Sequence, residues 1–230
     1  MQLNQTMDRN DNVAVGEQIL GALFPENSPW TGTQATVMTY GKDELIYAAD
    51  DPSDALYFIS EGRVKIGCTT SEGKNIIKSI LTENDLFGEM ALTGEVNRID
   101  HATALEDNTK VYSLKKDQIL QFMKDNDSLS FQILRILGAR VRRTEKRLES
   151  LLHKDARTRI IEFIKDLAIE KGQKVGFETM IKNHFTHKDM ASLTGTSRQT
   201  VTTVLNSLKE KNIINFDRRR ILIRDLDLLV

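Results

Sequence analysis

The chain has 230 residues, of which 40% are hydrophobic and 28% charged, enough apolar mass for one large or two modest cores and far from the composition of a disordered polymer. Its single cysteine, Cys68, excludes an internal disulfide and any four-cysteine zinc or iron–sulfur site within the chain. The formal net charge of −1 conceals an asymmetry: residues 1–125 carry 11 basic and 20 acidic side chains, residues 126–230 carry 21 and 13, so the second half is the one suited to a polyanion.

The N-terminus MQLNQTMDRNDN is polar and acidic instead of basic then apolar. No run approaches the roughly 20 apolar residues that span a bilayer, and a cytosolic protein is expected. Residues 15–24, VGEQILGALF, have helical apolar spacing and end near Pro25, which predicts a short first helix. From Thr36 to Leu114 the period changes to that of strands, in ALYFIS, RVKIGCT, NIIKSIL and KVYSL. Gly62 and Gly73 stand between these segments, where tight turns require positive φ. Several short strands at this spacing predict a β-sandwich or barrel.

After Leu114 the helical period returns, and a long helix is expected from about Ser128 to Leu152. Ile133, Leu137, Val141, Thr144, Leu148 and Leu151 recur at alternating three- and four-residue steps, a coiled-coil seam that predicts a homodimer. The hinge is placed at His153-Lys154-Asp155, before a second amphipathic helix, ARTRIIEFIKDLAIEKG. Residues 174–182 read as a strand, and 213–217 with 220–224 as a pair around an Asp217-Arg218-Arg219-Arg220 turn.

Between these lies FTHKDMASLTGTSRQTVTTVLNSLKEKNII. Thr186 with Asp189 has the spacing of a capping box for a helix over His187 to Thr194, Gly195 makes the turn, and Ser197 caps a second helix. Val201, Val204, Leu205 and Leu208 form that helix's inner face, and Ala191 is the small residue that two closely crossing helices need. The spacing of Ala191, Gly195 and Val201 is that of a helix-turn-helix. Ser197, Arg198, Gln199, Thr200, Thr202 and Thr203 face outward as a DNA-reading surface. Arg suits guanine and Gln adenine bidentately, while hydroxyls bond phosphates. Arg218 and Arg219, at the tip of the following hairpin, would form a wing on the DNA backbone.

From about residue 36 onward, DALYFISEGRVKI, LFGEMAL, Thr144-Glu145-Lys146 and the helix-turn-helix occur in an order that resembles the CRP/FNR family of bacterial transcription regulators. The resemblance implies an α+β fold with an N-terminal double-stranded β-helix (jelly-roll-like) effector domain, a long dimerisation helix and a C-terminal winged helix-turn-helix. On that pattern residues 1–125 are a cyclic-nucleotide-binding-like sensor, 126–153 the dimer helix and 154–230 the DNA-binding domain. The implied partners are a second copy of the chain, double-stranded DNA with a palindromic operator, and RNA polymerase.

The resemblance also implies an effector site at Gly88, Glu89, Met90 and Ala91, with Arg98, Asp100, Arg143 and Thr144 around it. In cyclic-AMP-binding relatives the Gly-Glu pair holds the ribose, an Arg followed by Ser or Thr holds the cyclic phosphate, and a dimer-helix hydroxyl meets the base. Gly88, Glu89 and Thr144 match. Counting back from Lys110-Val111-Tyr112 puts Ile99-Asp100 at the Arg-Ser pair and Arg98 one place early. On a strand such a slip turns Arg98 to the opposite face, and Asp100 would repel a phosphate. These residues disfavour cyclic AMP and leave the effector unidentified, and neither an iron–sulfur cluster nor haem is expected. The recognition helix departs too, with Gln199 and Thr203 where relatives usually carry Glu and Arg, which implies an altered operator.

A metal-dependent cupin enzyme would need clustered barrel histidines, and the barrel has only His101. His184 and His187, three residues apart, do not make a zinc site on spacing alone. An effector-independent regulator and a ligand-binding adaptor that docks on proteins without binding DNA are the remaining alternatives.

Overall fold

The computed structural model describes residues 35–125, 127–182, 185–217 and 220–229. The helix expected over residues 15–24, and His184, Arg218 and Arg219, lie outside the described residues. The chain divides into two compact units that part between Val141 and Arg142.

The first unit begins with strands β1 (Thr36–Tyr40), β2 (Leu45–Tyr47), β3 (Ala55–Glu61), β4 (Val64–Thr69), β5 (Asn75–Leu81), β6 (Leu86–Phe87), β7 (His101–Ala104) and β8 (Thr109–Lys115). They form two four-stranded antiparallel sheets, ordered β1-β8-β3-β6 and β2-β7-β4-β5. β4 pairs with β5, β3 with β6, β2 with β7 and β1 with β8. That nesting is one long hairpin rolled up so that its successive ladders fall alternately on the two sheets, the double-stranded β-helix. Gly62 and Gly73 turn at φ 84° and 76°. At Gly62 a Cβ would come within 2.7 Å of Thr109 Oγ1, so only glycine suits both the turn and the neighbouring strand.

β3 shows why ALYFIS is a continuous apolar run. Its Tyr57 and Ile59 point into the roll among Tyr47, Val64, Phe87 and Val111. Leu56 and Phe58 point out beneath the helices, among Leu86, Ala91, Leu114, Ile119, Leu129 and Ile133. A strand covered on both faces has no polar side to alternate with.

Helices α1 (Lys116–Asp125) and α2 (Asp127–His153) follow. The expected seam of α2 is corrected at its start. Ile133 is fully buried and Leu137 packs against the same cluster, because the first turns of α2 lay that face on the roll. Phe131 and Leu134 are exposed in their place, while the expected Val141, Leu148 and Leu151 are exposed farther along α2, beside Leu152.

The second unit holds α3 (Ala156–Lys171), β9 (Gln173–Val175), β10 (Glu178–Lys182), α4 (His187–Thr194), α5 (Arg198–Glu210), β11 (Ile214–Phe216) and β12 (Arg220–Ile223). α2 ends at His153, and the Asp155 side chain caps α3 by accepting from Thr158 N at 2.7 Å. Residues 174–182 are not one strand but parts of a hairpin, β9 with β10, because Gly176 turns at φ 62°. The four strands order as β11-β12-β10-β9. Ile160, Ile164, Ile181, Met190, Val201, Leu205, Leu208, Ile221 and Ile223 close a single core, each large aliphatic side chain contributing about 1.5–3 kcal/mol of burial.

Candidate nucleic-acid interface and effector cradle

The helix-turn-helix is built by local bonds that its sequence encodes. Thr186 Oγ1 accepts from Asp189 N at 3.1 Å, and Asp189 Oδ2 accepts from Thr186 N at 2.9 Å, a complete capping box at the start of α4. Gly195 takes the left-handed conformation at φ 62°, and its N–H donates to Ala191 O and Ser192 O. Ser197 Oγ accepts from Thr200 N at 3.0 Å and starts α5. Val201, Val204, Leu205 and Leu208 are the buried residues of α5, and Ala191 is buried where the helices cross.

The outward residues divide by what they touch. Ser197, Arg198, Gln199 and Thr203 are exposed. Thr200 is half-buried, its hydroxyl 2.8 Å from Ser197 Oγ within the cap. Thr202 does not face solvent freely: its hydroxyl donates to Arg198 O at 2.9 Å and lies 2.8 Å from His187 Nδ1. On the wing, Asp217 holds Arg220 through its backbone N and its Nε, each at 3.0 Å.

Two arginines outside the motif grip its turn. Arg159 of α3 donates to Thr194 O at 2.8 Å, to Gly195 O at 3.0 Å and to Lys154 O at 2.6 Å. Arg147 of α2 donates to Ser192 O at 2.9 Å, and burial pushes its guanidinium below the usual range. The bonds to Thr194 O and Gly195 O satisfy carbonyls that the end of α4 leaves open, and the bond to Ser192 O adds to the one from Gly195 N–H. Sequence reading did not single out Arg147 or Arg159, nor the contact of His187 with Thr202. An arginine on a polar helix face carries no sequence signal of such a role, and only the fold brings these two to a carbonyl-rich helix end.

In the first unit, Gly88 caps a 3-10 turn, Glu89–Thr93, at φ 77°. Its carbonyl accepts from Arg98 Nη1 at 3.0 Å, while Arg98 Nη2 donates to Ala55 O at 2.6 Å. Arg98 is 3% exposed, its guanidinium 4.5 Å from the Tyr47 ring centre and 5.5 Å from that of Tyr57. The expectation that a register slip turns Arg98 away is therefore corrected. Arg98 lies before β7 begins, in irregular backbone where strand alternation does not apply, and it turns inward. Asp100 accepts from Tyr47 OH at 3.2 Å and pairs with Lys78 at 3.1 Å. Burial and then Asp100 push the Tyr47 phenol far above its ordinary value.

Glu89 pairs with Arg140 of α2, which also donates to Leu86 O at 2.6 Å. Met90 is half-buried and Ala91 wholly buried. Arg143 and Thr144 lie beyond Val141 on α2, exposed, in the second unit. The cradle does not fit a cyclic phosphate. Each terminal nitrogen of Arg98 already donates to a backbone carbonyl while its buried Nε–H has no partner, the next residue is Ile99 instead of a hydroxyl donor, and Asp100 places a carboxylate nearby.

Among the described residues no group of three or more His, Cys, Asp and Glu could hold a metal ion, and no helix is long and apolar enough to cross a membrane.

Residues 37–126 match the cyclic nucleotide-binding domain family and residues 158–230 the Crp-like helix-turn-helix domain family. The chain is 32% identical over 187 residues to the global nitrogen regulator of Nostoc sp., covering 80% of this chain and 83% of that protein. It is 28% identical over 196 residues to a CRP-like cAMP-activated global transcriptional regulator of Mycobacterium tuberculosis, covering 85% and 87%. Its fold is that of FixK2 from Bradyrhizobium japonicum, with a TM-score of 0.75, 24% identity and coverage of 86% and 96%. A CooA mutant from Carboxydothermus hydrogenoformans superposes with a TM-score of 0.78 at 23% identity, covering 92% and 93%. With both family models matched in this order and a relative 32% identical over most of both chains, the chain belongs to the CRP/FNR family of DNA-binding transcription regulators.

Proposed function

We propose that this regulator works in the cytoplasm as a homodimer that reads a palindromic operator through Ser197, Arg198, Gln199 and Thr203, with Thr200 and Thr202 holding the first turn of α5. The observation that carries the reading is the exposed first turn of α5, set on a helix whose opposite face is wholly in the core. Arg198 is the guanine reader and Gln199 the adenine reader. Arg218 and Arg219 contact the backbone beside the groove, and RNA polymerase is the further partner. The exposed stripe Phe131, Leu134, Val141, Leu148 and Leu152 supports pairing along α2, which would set two recognition helices about 34 Å apart.

Control acts through the Glu89–Arg140 pair, which ties the 3-10 turn to α2. An effector or partner that competes for Glu89 shifts the population of α2 arrangements. An effector-independent regulator is the second reading, favoured by the chain's own oxygens holding Arg98 and Arg140. Selection of bound genomic fragments by wild type and Arg198→Ala tests the DNA assignment. The variant should lose about 1–3 kcal/mol at the selected site and relax its preference there, whereas an unchanged preference removes Arg198 from the reading surface.

A further inference from the structure

The His187–Thr202 contact links the two helices of the motif by side chains, and its chemistry is more constrained than a single hydrogen bond. Thr202 Oγ1 has one proton, and it donates that proton to Arg198 O at 2.9 Å. At 2.8 Å from the same oxygen, His187 Nδ1 must therefore be the donor. This selects the Nδ1–H tautomer and leaves Nε2 as the atom that gains or loses a proton. Protonation at Nε2 leaves the bond to Thr202 intact, because Nδ1 carries its hydrogen in both states.

We propose that His187 is a positioning residue of the DNA-reading surface, orienting Thr202 through Nδ1–H and taking up a proton at Nε2 when DNA binds. The inference rests on the reading that α5 enters DNA. Thr202 carries the carbonyl of Arg198, so the His187 bond stiffens the turn from which Arg198 and Gln199 project.

The surroundings set the sign of the proton uptake. His187 is half-buried, with Phe216 of β11 at 6.2 Å between ring centres and Lys209 of α5 over that ring at 5.3 Å. Lys188 and Asp189 follow it on α4, Asp189 being committed to the capping box. Burial, and then the positive charge of Arg198, hold the His187 imidazole below its ordinary value, so the free protein carries it neutral near pH 7. The negative field of DNA around α5 offsets that repulsion and favours the imidazolium. The bound state thus has the higher pKa, and affinity rises as pH falls from the bound value toward the free one, then levels off.

The test uses the full chain and its selected DNA site at constant salt, with dissociation constants measured from pH 5.5 to 8. Wild type should tighten as pH falls, by about tenfold for each unit by which DNA raises the His187 pKa. His187→Asn, whose amide replaces the Nδ1 donor but does not titrate, should keep the sequence preference and lose that pH dependence. His187→Ala and Thr202→Val should both relax the preference. A pH profile in His187→Asn equal to wild type, or an unaltered preference in His187→Ala, overturns the proposal and leaves the DNA assignment standing. Failure of the wild type to retain any DNA at low salt overturns both.

Discussion

Leu151 of α2 lies directly over Gly195, the turn of the DNA-reading motif: a Cβ on Gly195 would fall 2.6 Å from Leu151 Cδ2. The glycine is required twice, once for its φ of 62° and once for the side chain above it. Gly195→Ala should destabilise the second unit by about 1–3 kcal/mol, read as a shifted urea midpoint. Placed in a Leu151→Ala background, the same change should cost less, because only the backbone strain remains. Equal costs in the two backgrounds would show that Leu151 does not sense the turn.

The cradle makes a clear statement about cyclic AMP. With Arg98 held by Gly88 O and Ala55 O, and Glu89 by Arg140, a cyclic nucleotide would compete with three charge-assisted contacts. Calorimetry with cyclic AMP should give no binding heat that differs between wild type and Glu89→Ala. Tight binding that disappears in Glu89→Ala would mean that the cradle opens for the nucleotide.

Alkaline pH should weaken the first unit through its enclosed phenols. Burial pushes Tyr40 from 10.0 to about 12, and Tyr47 and Tyr57 are raised by the same cause. Groups whose folded pKa lies above the unfolded one stabilise fully below the unfolded value, so stability should be constant up to about pH 10 and decline as pH rises toward 12. Tyrosinate absorbance near 295 nm should appear together with loss of circular dichroism. Tyr47→Phe should flatten the decline. Tyrosinate formed near pH 10 in a still-folded unit would contradict the enclosure.

The second unit was legible because its signals are local. A capping box, a left-handed glycine and an inner face at helical spacing each act within a few residues, so Thr186, Gly195, Ser197 and Val201 could be placed from order alone. The β-roll strands were legible for the same reason, through period and turn glycines. α2 was legible as a helix, but which stripe faces out was not, because Ile133 and Leu137 are equally apolar whether they meet a partner helix or the chain's own roll.

Arg98 marks the same boundary. Counted along a strand, it belongs on the wrong face, and the structure releases it from that rule because its backbone is irregular. His187 is likewise an unremarkable histidine in sequence, given its role only when α4 and α5 cross and bring it to Thr202. By itself the sequence determined most of the elements, their order and the exposed first turn of α5, since these follow from backbone preference and periodicity over short spans. The tertiary structure alone decided which long polar side chains meet which carbonyls, because an arginine or histidine takes its role from groups tens of residues away that only packing brings within hydrogen-bond reach.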